Sequence, residues 1–193
     1  MLHYPLTTLW ILTMMSPSKT YKTGLVRCDG HLPENEQVPI PAYGTAYSSC
    51  FDLSASIKGR DLKSFIGNRY QVETDEQGRA VALTIFEGGL VLIPTGFIFD
   101  MPKDFGIDVL PRSGLALKHG LVLRNCTGVI DNDFPKETLI MLENRGNTGA
   151  HTINHGDRIA QARLVPVYVA EFSLQEEWTP RDSSRSDGFG HTG

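Results

Sequence analysis

Short apolar runs that alternate with polar positions fill most of the chain. From residue 80 onward, AVALTIF, GLVLIPTGFIF, GIDVL, GLVLRNCTGVI, TLIMLEN, HTIN and RIAQARLVPVYVAEF follow in turn, each rich in Val, Ile, Leu, Thr or Phe and ended by Gly, Pro, Asn or Asp. Such runs predict strands, and many short strands in regular succession predict an all-β sandwich, jelly roll or barrel. One earlier run, YKTGLVRC at residues 21–28, has the same character. YQVETDEQGRAVALTIF, residues 70–86, predicts a hairpin of two alternating strands about the turn DEQG. Helical turns are expected only in RSGLALKHG, residues 112–120, and around residues 60–67.

Composition narrows the class. With 193 residues, 40% hydrophobic and 21% charged, the chain suits one globular domain with an ordinary core. A formal charge of -4 argues against non-specific binding to nucleic acid or a membrane surface, since both need a basic face. Three widely spaced cysteines without a C-x-x-C imply neither a disulfide framework nor a zinc knot, and a reducing cytoplasmic setting is expected. The opening MLHYPLTTLWILTMM lacks a basic n-region and is too short to span a bilayer. Residues 1–16 are therefore expected as a disordered or loosely docked extension, and Met14 and Met15 offer alternative starts.

Three stretches carry chemistry unusual in a plain β domain. PRSGLALKHG places a cation, a hydroxyl and a glycine where an apolar strand ends, so that backbone N–H groups with Arg112 and Ser113 would cradle a phosphate. Taken alone, Ser113 serves equally well as a helix cap and Arg112 as a surface charge. In RNCTGVIDNDF, Asp131 follows an apolar strand beside a Gly-containing hairpin, where a carboxylate could hold a water or a sugar hydroxyl as a general base. Asp-Asn-Asp is also ordinary turn chemistry. GDRIAQ, residues 156–161, is a turn followed by Arg158 and Gln161 on a strand, and by itself reads as structural. No G-x-S-x-G elbow or Walker loop is present. His151 and His155 have i, i+4 spacing, but on strand and turn rather than helix, so no shared metal site is expected.

Taken together and in order, SSCFDLSA, PRSGLALKHG, GVIDNDF, GDRIAQ and RSDGFGHTG resemble the five motifs of the trimeric dUTP pyrophosphatase (dUTPase) family. The resemblance runs from about residue 41 to the last residue, apart from an insertion. It implies a jelly-roll-like β-clip fold, a homotrimer with the C-terminal tail exchanged over a neighbouring site, and hydrolysis of dUTP to dUMP and pyrophosphate. That reaction keeps uracil out of DNA and supplies dUMP for dTMP synthesis. Asp131 would orient and deprotonate the water that attacks the α-phosphate, and would bond the sugar 3'-hydroxyl. Ser113 would donate to the oxygen bridging the α- and β-phosphates. Arg112, Gly114 and Gln161 would hold phosphate oxygens. Mg2+ would be chelated mainly by the triphosphate, with Asp52 reaching it through water. The hairpin with Asn125, Gly128, Val129 and Ile130 would read the uracil edge, Phe134 would lie under the sugar, and Leu139 would complete the pocket. In the tail, Phe189 would stack on the uracil, Arg185 would meet the outer phosphates, and Gly190 would contact substrate.

The resemblance divides the chain into the extension 1–16, a β domain at 17–180 and a flexible C-terminal lid at 181–193. A hairpin inserted around 57–88 either lengthens a sheet edge or presents a surface to a protein partner. Four positions depart from the family pattern. Cys50-Phe51 stands where a glycine usually precedes the hydrophobic residue, Phe134 replaces a tyrosine, Lys136 replaces a glycine, and Arg185 sits one residue closer to Phe189 than is common. A dCTP deaminase of the same superfamily is the alternative enzyme, and it needs a glutamate where this chain has Met141. A regulatory nucleotide-binding protein acting through the insertion is a third reading.

Overall fold

The computed structural model describes residues 19–64, 69–146 and 149–177, so the expected extension and lid lie outside it. Its strands are β1 (Gly24–Arg27), β2 (Phe51–Ser54), β3 (Lys63–Ser64), β4 (Tyr70–Thr74), β5 (Ala80–Ile85), β6 (Leu90–Pro94) and β7 (Phe97–Asp100). They continue as β8 (Phe105–Leu110), β9 (Leu121–Leu123), β10 (Gly128–Ile130), β11 (Leu139–Asn144), β12 (His151–Asn154) and β13 (Arg158–Pro166), with an α-helix, α1 (Ser113–His119), between β8 and β9 and a single 3-10 turn at Glu34–Glu36 among the described residues. All pairings are antiparallel. The sheets run β10-β8-β13-β2, β3-β6-β11-β9 and β12-β5-β4, with β1-β7 as a separate pair. This is the all-β architecture that the apolar runs predict.

Alternation places the core. On β8, Ile107 and Val109 are buried while Asp108 and Leu110 face outward. Fully buried Ile93, Ile140 and Leu142 from the β6–β11 pair join the same cluster, each burial stabilising by about 1.5–3 kcal/mol. On β13 the alternation breaks, because Ile159 and Ala160 are both buried. The cause is a register shift against β2 between Arg158 and Ala160, a bulge that re-aims the side chains on either side of it.

The hairpin at 70–86 forms about Asp75 to Arg79. Gly78 takes φ 76°, and Asp75 accepts from the N–H groups of Gln77 and Arg79 at 3.0 and 2.9 Å. Those bonds, led by the one from Arg79, hold the Asp75 carboxyl below its usual range. Its two strands are not equal. β4 is the outer strand of its sheet, whereas β5 lies between β4 and β12 and puts Leu83 and Ile85 into the core. The stretch around residues 60–67, expected to allow a helical turn, instead places Lys63–Ser64 against Val91 and Leu92 of β6. Pairing along an available sheet edge outweighs a weak local preference.

α1 is bounded as its sequence suggests. Arg112 is extended at the N-cap (φ -90°, ψ 122°), and Gly120 at the C-cap is left-handed with its N–H on Ala116 O at 3.1 Å. A Cβ on Gly120 would lie 2.1 Å from Gly146 Cα, so only glycine fits there. Beyond β13, residues 167–177 have no regular structure, and Tyr168, Val169, Phe172 and Leu174 are almost fully exposed.

Candidate active site

The first group of site residues gathers where β2, β8 and β13 come together. Asp52 pairs with Gln161 across the sheet, and Gln161 pairs with Leu110 at the end of β8. The chain then turns through Pro111 into α1. Gln161 Nε2 donates to Pro111 O at 2.9 Å, tying β13 to that turn. Asp52 sits between two guanidinium groups, Arg112 Nε at 3.1 Å and Arg158 Nη1 at 2.9 Å. Arg112 Nη1 also donates to Arg158 O at 2.8 Å. Two cations share one carboxylate, which leaves the cluster with one net positive charge beside the exposed Ser113 and Gly114. An open groove of about 380 Å³ is lined by Asp52 and Arg158 together with Ile40 and Tyr43.

The second group surrounds a cavity of about 80 Å³ lined by Asn125, Gly128, Val129, Ile130, Leu139 and Met141. β10 is held against β8, and a Cβ on Gly128 would come within 3.2 Å of Val109 Cβ. Asp131 leaves β10 into solvent, and its carbonyl accepts the N–H of Phe134 at 3.1 Å. Phe134 is 38% exposed. Next to Asp131, Asn132 Nδ2 reaches Pro102 O at 2.8 Å and Met101 O at 3.2 Å, with Phe105 O at 3.4 Å. All three neighbours are acceptors, which assigns the amide nitrogen to that side.

Strand direction separates Asp131 from the first group. Gly128 pairs with Val109 and Ile130 with Ile107, so Asp131 emerges at the start of β8 while Arg112 and Ser113 follow its end. Six residues of strand lie between, about 20 Å at 3.4 Å per residue. Within one chain, Asp131 therefore stands far from the phosphate-type cluster.

The family model described as dUTPase matches residues 78–193. The chain belongs to the dUTPase family. The deoxyuridine 5'-triphosphate nucleotidohydrolase of Desulfotalea psychrophila is 39% identical over 160 residues, covering 83% of this chain and 91% of that protein. The nucleotidohydrolase of Shewanella piezotolerans is 40% identical over 158 residues, covering 81% and 88%. The fold also matches a Staphylococcus bacteriophage 80alpha dUTPase structure with dUPNHPP, at TM-score 0.67, 18% identity and coverage of 90% and 99%. A dUTPase from Streptococcus mutans gives TM-score 0.56 at 21% identity, covering 77% and 99%. SSCFDLSA, with Asp52, lies ahead of the family-model match, but the strand pairing brings it to Gln161 all the same.

The two histidines go to different places. His151 stacks on His119 with ring centroids 4.1 Å apart, and its pKa is lowered by burial and then by the neighbouring imidazole. His155 Nδ1 accepts the N–H groups of Ile57 and Lys58 at 3.0 and 3.1 Å, and Nε2 donates to Glu36 O at 2.8 Å. Among the described residues, no group of three or more His, Cys, Asp or Glu is placed to hold a metal ion. Arg185, Phe189 and Gly190 lie outside the described residues. Reading the sequence singled out neither Arg158 as a partner of Asp52 nor Asn132 as a tie, although both stand inside the quoted motifs, and within the hairpin from Asn125 to Ile130 it gave no role to Cys126.

Proposed function

We propose that the chain hydrolyses dUTP to dUMP and pyrophosphate at sites shared between chains of a homotrimer. The observation that carries this reading is the Asp52–Arg112–Arg158–Gln161 cluster beside Ser113 and Gly114, in a chain of this family. Its net positive charge and open N–H and hydroxyl groups suit phosphate oxygens. Arg112, Gly114 and Gln161 hold the phosphates, and Ser113 donates to the bridging oxygen as charge develops on the leaving pyrophosphate. Asp131 of another chain holds the attacking water and takes its proton as oxygen bonds to the α-phosphorus and the bridging P–O bond breaks. Asn125 and the backbone of Gly128–Ile130 pair with the uracil edge, so cytosine would leave buried groups unpaired. Phe134 supports the sugar and Leu139 closes the pocket. The tail residues Arg185, Phe189 and Gly190 cover a site from a third chain.

Separation of Asp131 from the cluster along β8 supports a shared site, and the bare apolar arm at 167–177 supports assembly, since such surface is seldom left to water. Mg2+ is expected on the triphosphate, where it would offset phosphate charge. Both Asp52 oxygens already face guanidinium groups, which fits contact through water better than direct ligation. The proposed location is cytoplasmic. No helix among the described residues is long and apolar enough to cross a membrane.

Release of pyrophosphate from dUTP without ammonia tests the reading. Ammonia release would instead mark a deaminase, for which Met141 supplies no carboxylate and Glu143 is already held by two arginines. Nucleotide binding without turnover would mark a regulator. The outer strand β4 is then the surface where a protein partner of the 57–88 insertion would be sought.

A further inference from the structure

We infer that the ion pair between Arg124 and the buried Glu143 is a positioning device: it holds the turn at 125–128 in a strained conformation and so sets discrimination between uracil and cytosine. The inference rests on the proposed role of that turn as the base site.

Strain in the turn is visible in the backbone. Cys126 has φ 60°, and among the described residues no other non-glycine residue has positive φ. Across it, the Thr127 N–H donates to Asn125 O at 2.6 Å, closing a γ-turn of the strained hand. The Cys126 N–H donates to Leu123 O at 3.0 Å. These bonds tighten the turn, but such a conformation persists only where its surroundings over-determine it.

The surroundings do so at both feet. Downstream, Gly128 lies hard against Val109 of β8. Upstream, the Arg124 N–H donates to Met141 O at 2.9 Å and its guanidinium reaches Glu143 on β11. The Glu143 side chain is only 7% exposed, and its oxygens are divided: Oε1 takes Arg124 Nη1, and Oε2 takes Arg145 Nε at 2.6 Å. A carboxylate buried this far depends on both partners, so Arg124 is not free to swing, and neither is the backbone that leads into Asn125.

The two arginines supply an internal control. Both hold the same carboxylate, but Arg124 adjoins the turn, whereas Arg145 follows β11 and its N–H donates to Gly120 O at 2.9 Å. The experiment measures kcat and KM for dUTP and dCTP, with thermal midpoints, for wild type, Arg124→Met, Arg145→Met and Glu143→Gln. Arg124→Met and Glu143→Gln are expected to lower the dUTP-over-dCTP ratio of kcat/KM by about tenfold or more, chiefly through a higher KM for dUTP. Arg145→Met should lower the midpoint comparably and keep the ratio. Arg124→Lys keeps the charge without the fork; it should fall between, and it replaces Arg124→Met if that variant does not fold. An equal change of ratio in the Arg124 and Arg145 variants, or an unchanged ratio in Arg124→Met, would overturn the inference. A wild-type chain that does not turn over dUTP would sink the proposed function first, and the inference with it.

Discussion

The two ends of β8 are built on different principles. At its C-terminal end, side chains do the fixing: Asp52, Arg112, Arg158 and Gln161 lock one another across three strands. At its N-terminal side, backbone does the fixing. The end of β10 is clamped to β8 with Ile130 opposite Ile107, and Asn132 ties the turn after Asp131 to the loop before Phe105. Phosphate oxygens are sought by charge, which tolerates small shifts, whereas an in-line water must be met within a few tenths of an ångström. Charged clusters suit the first task and rigid backbone the second. About 20 Å of strand parts the two ends.

The comparison can be broken at either end. Asp131→Asn preserves shape and removes the base, so kcat should fall by about a hundredfold or more, about 3 kcal/mol in transition-state stabilisation, while substrate still binds. Near wild-type turnover by the purified variant would remove Asp131 from its role. Arg112→Met should act differently. It deletes one charge-assisted contact and leaves Asp52 with Arg158 alone, so kcat/KM should drop by about 10–100-fold, largely through KM. A pure kcat effect would contradict a phosphate-holding role.

Smaller changes sharpen the contrast. Asn132→Asp keeps size but turns a carboxylate on the Met101 and Pro102 carbonyls, and kcat should fall about tenfold with KM within about twofold. Equal losses in both constants would mean that the tie supports the fold rather than Asp131. The smallest effect is expected beyond α1, at His151. Its pKa in the folded chain lies below the ordinary 6.5, so the unfolded chain takes up the proton first and stability falls as pH drops below that value. His151→Gln should flatten the fall in thermal midpoint on acidification from neutral pH, and an unchanged slope would show that the pair does not titrate in this way.

Much of this was legible along the chain, and the gaps share a cause. Alternation located β8 and β11, Gly120 marked the end of α1, and DEQG marked the β4–β5 turn, because each depends on neighbours in sequence. Lys63–Ser64 was not legible as a strand, since its partner β6 lies far along the chain. The stretch expected as an insertion, residues 57–88, shows the same limit. Its length suggested an added hairpin, but only the packing shows that β5 carries Leu83 and Ile85 into the core while β4 stays outermost. At the site, the residue types in PRSGLALKHG and GVIDNDF pointed to phosphate and base chemistry. That Arg112 and Asp131 stand at opposite ends of one strand follows from the antiparallel register of β10, which leaves Gly128 beside Val109. The positive φ of Cys126 has no local signal, because a glycine or asparagine would ordinarily occupy such a position.

Subunit mixing tests the shared site directly. Asp131→Asn and Ser113→Ala chains should each be nearly inactive as homotrimers. Refolded together at equal amounts, about three quarters of random trimers are mixed, and by cyclic symmetry each mixed trimer holds one intact site of three. Activity should then recover to about a quarter of wild type. If activity stays at background while mass measurements confirm mixed trimers, Asp131 and Ser113 serve the same site from the same chain, and the division of the site along β8 is wrong.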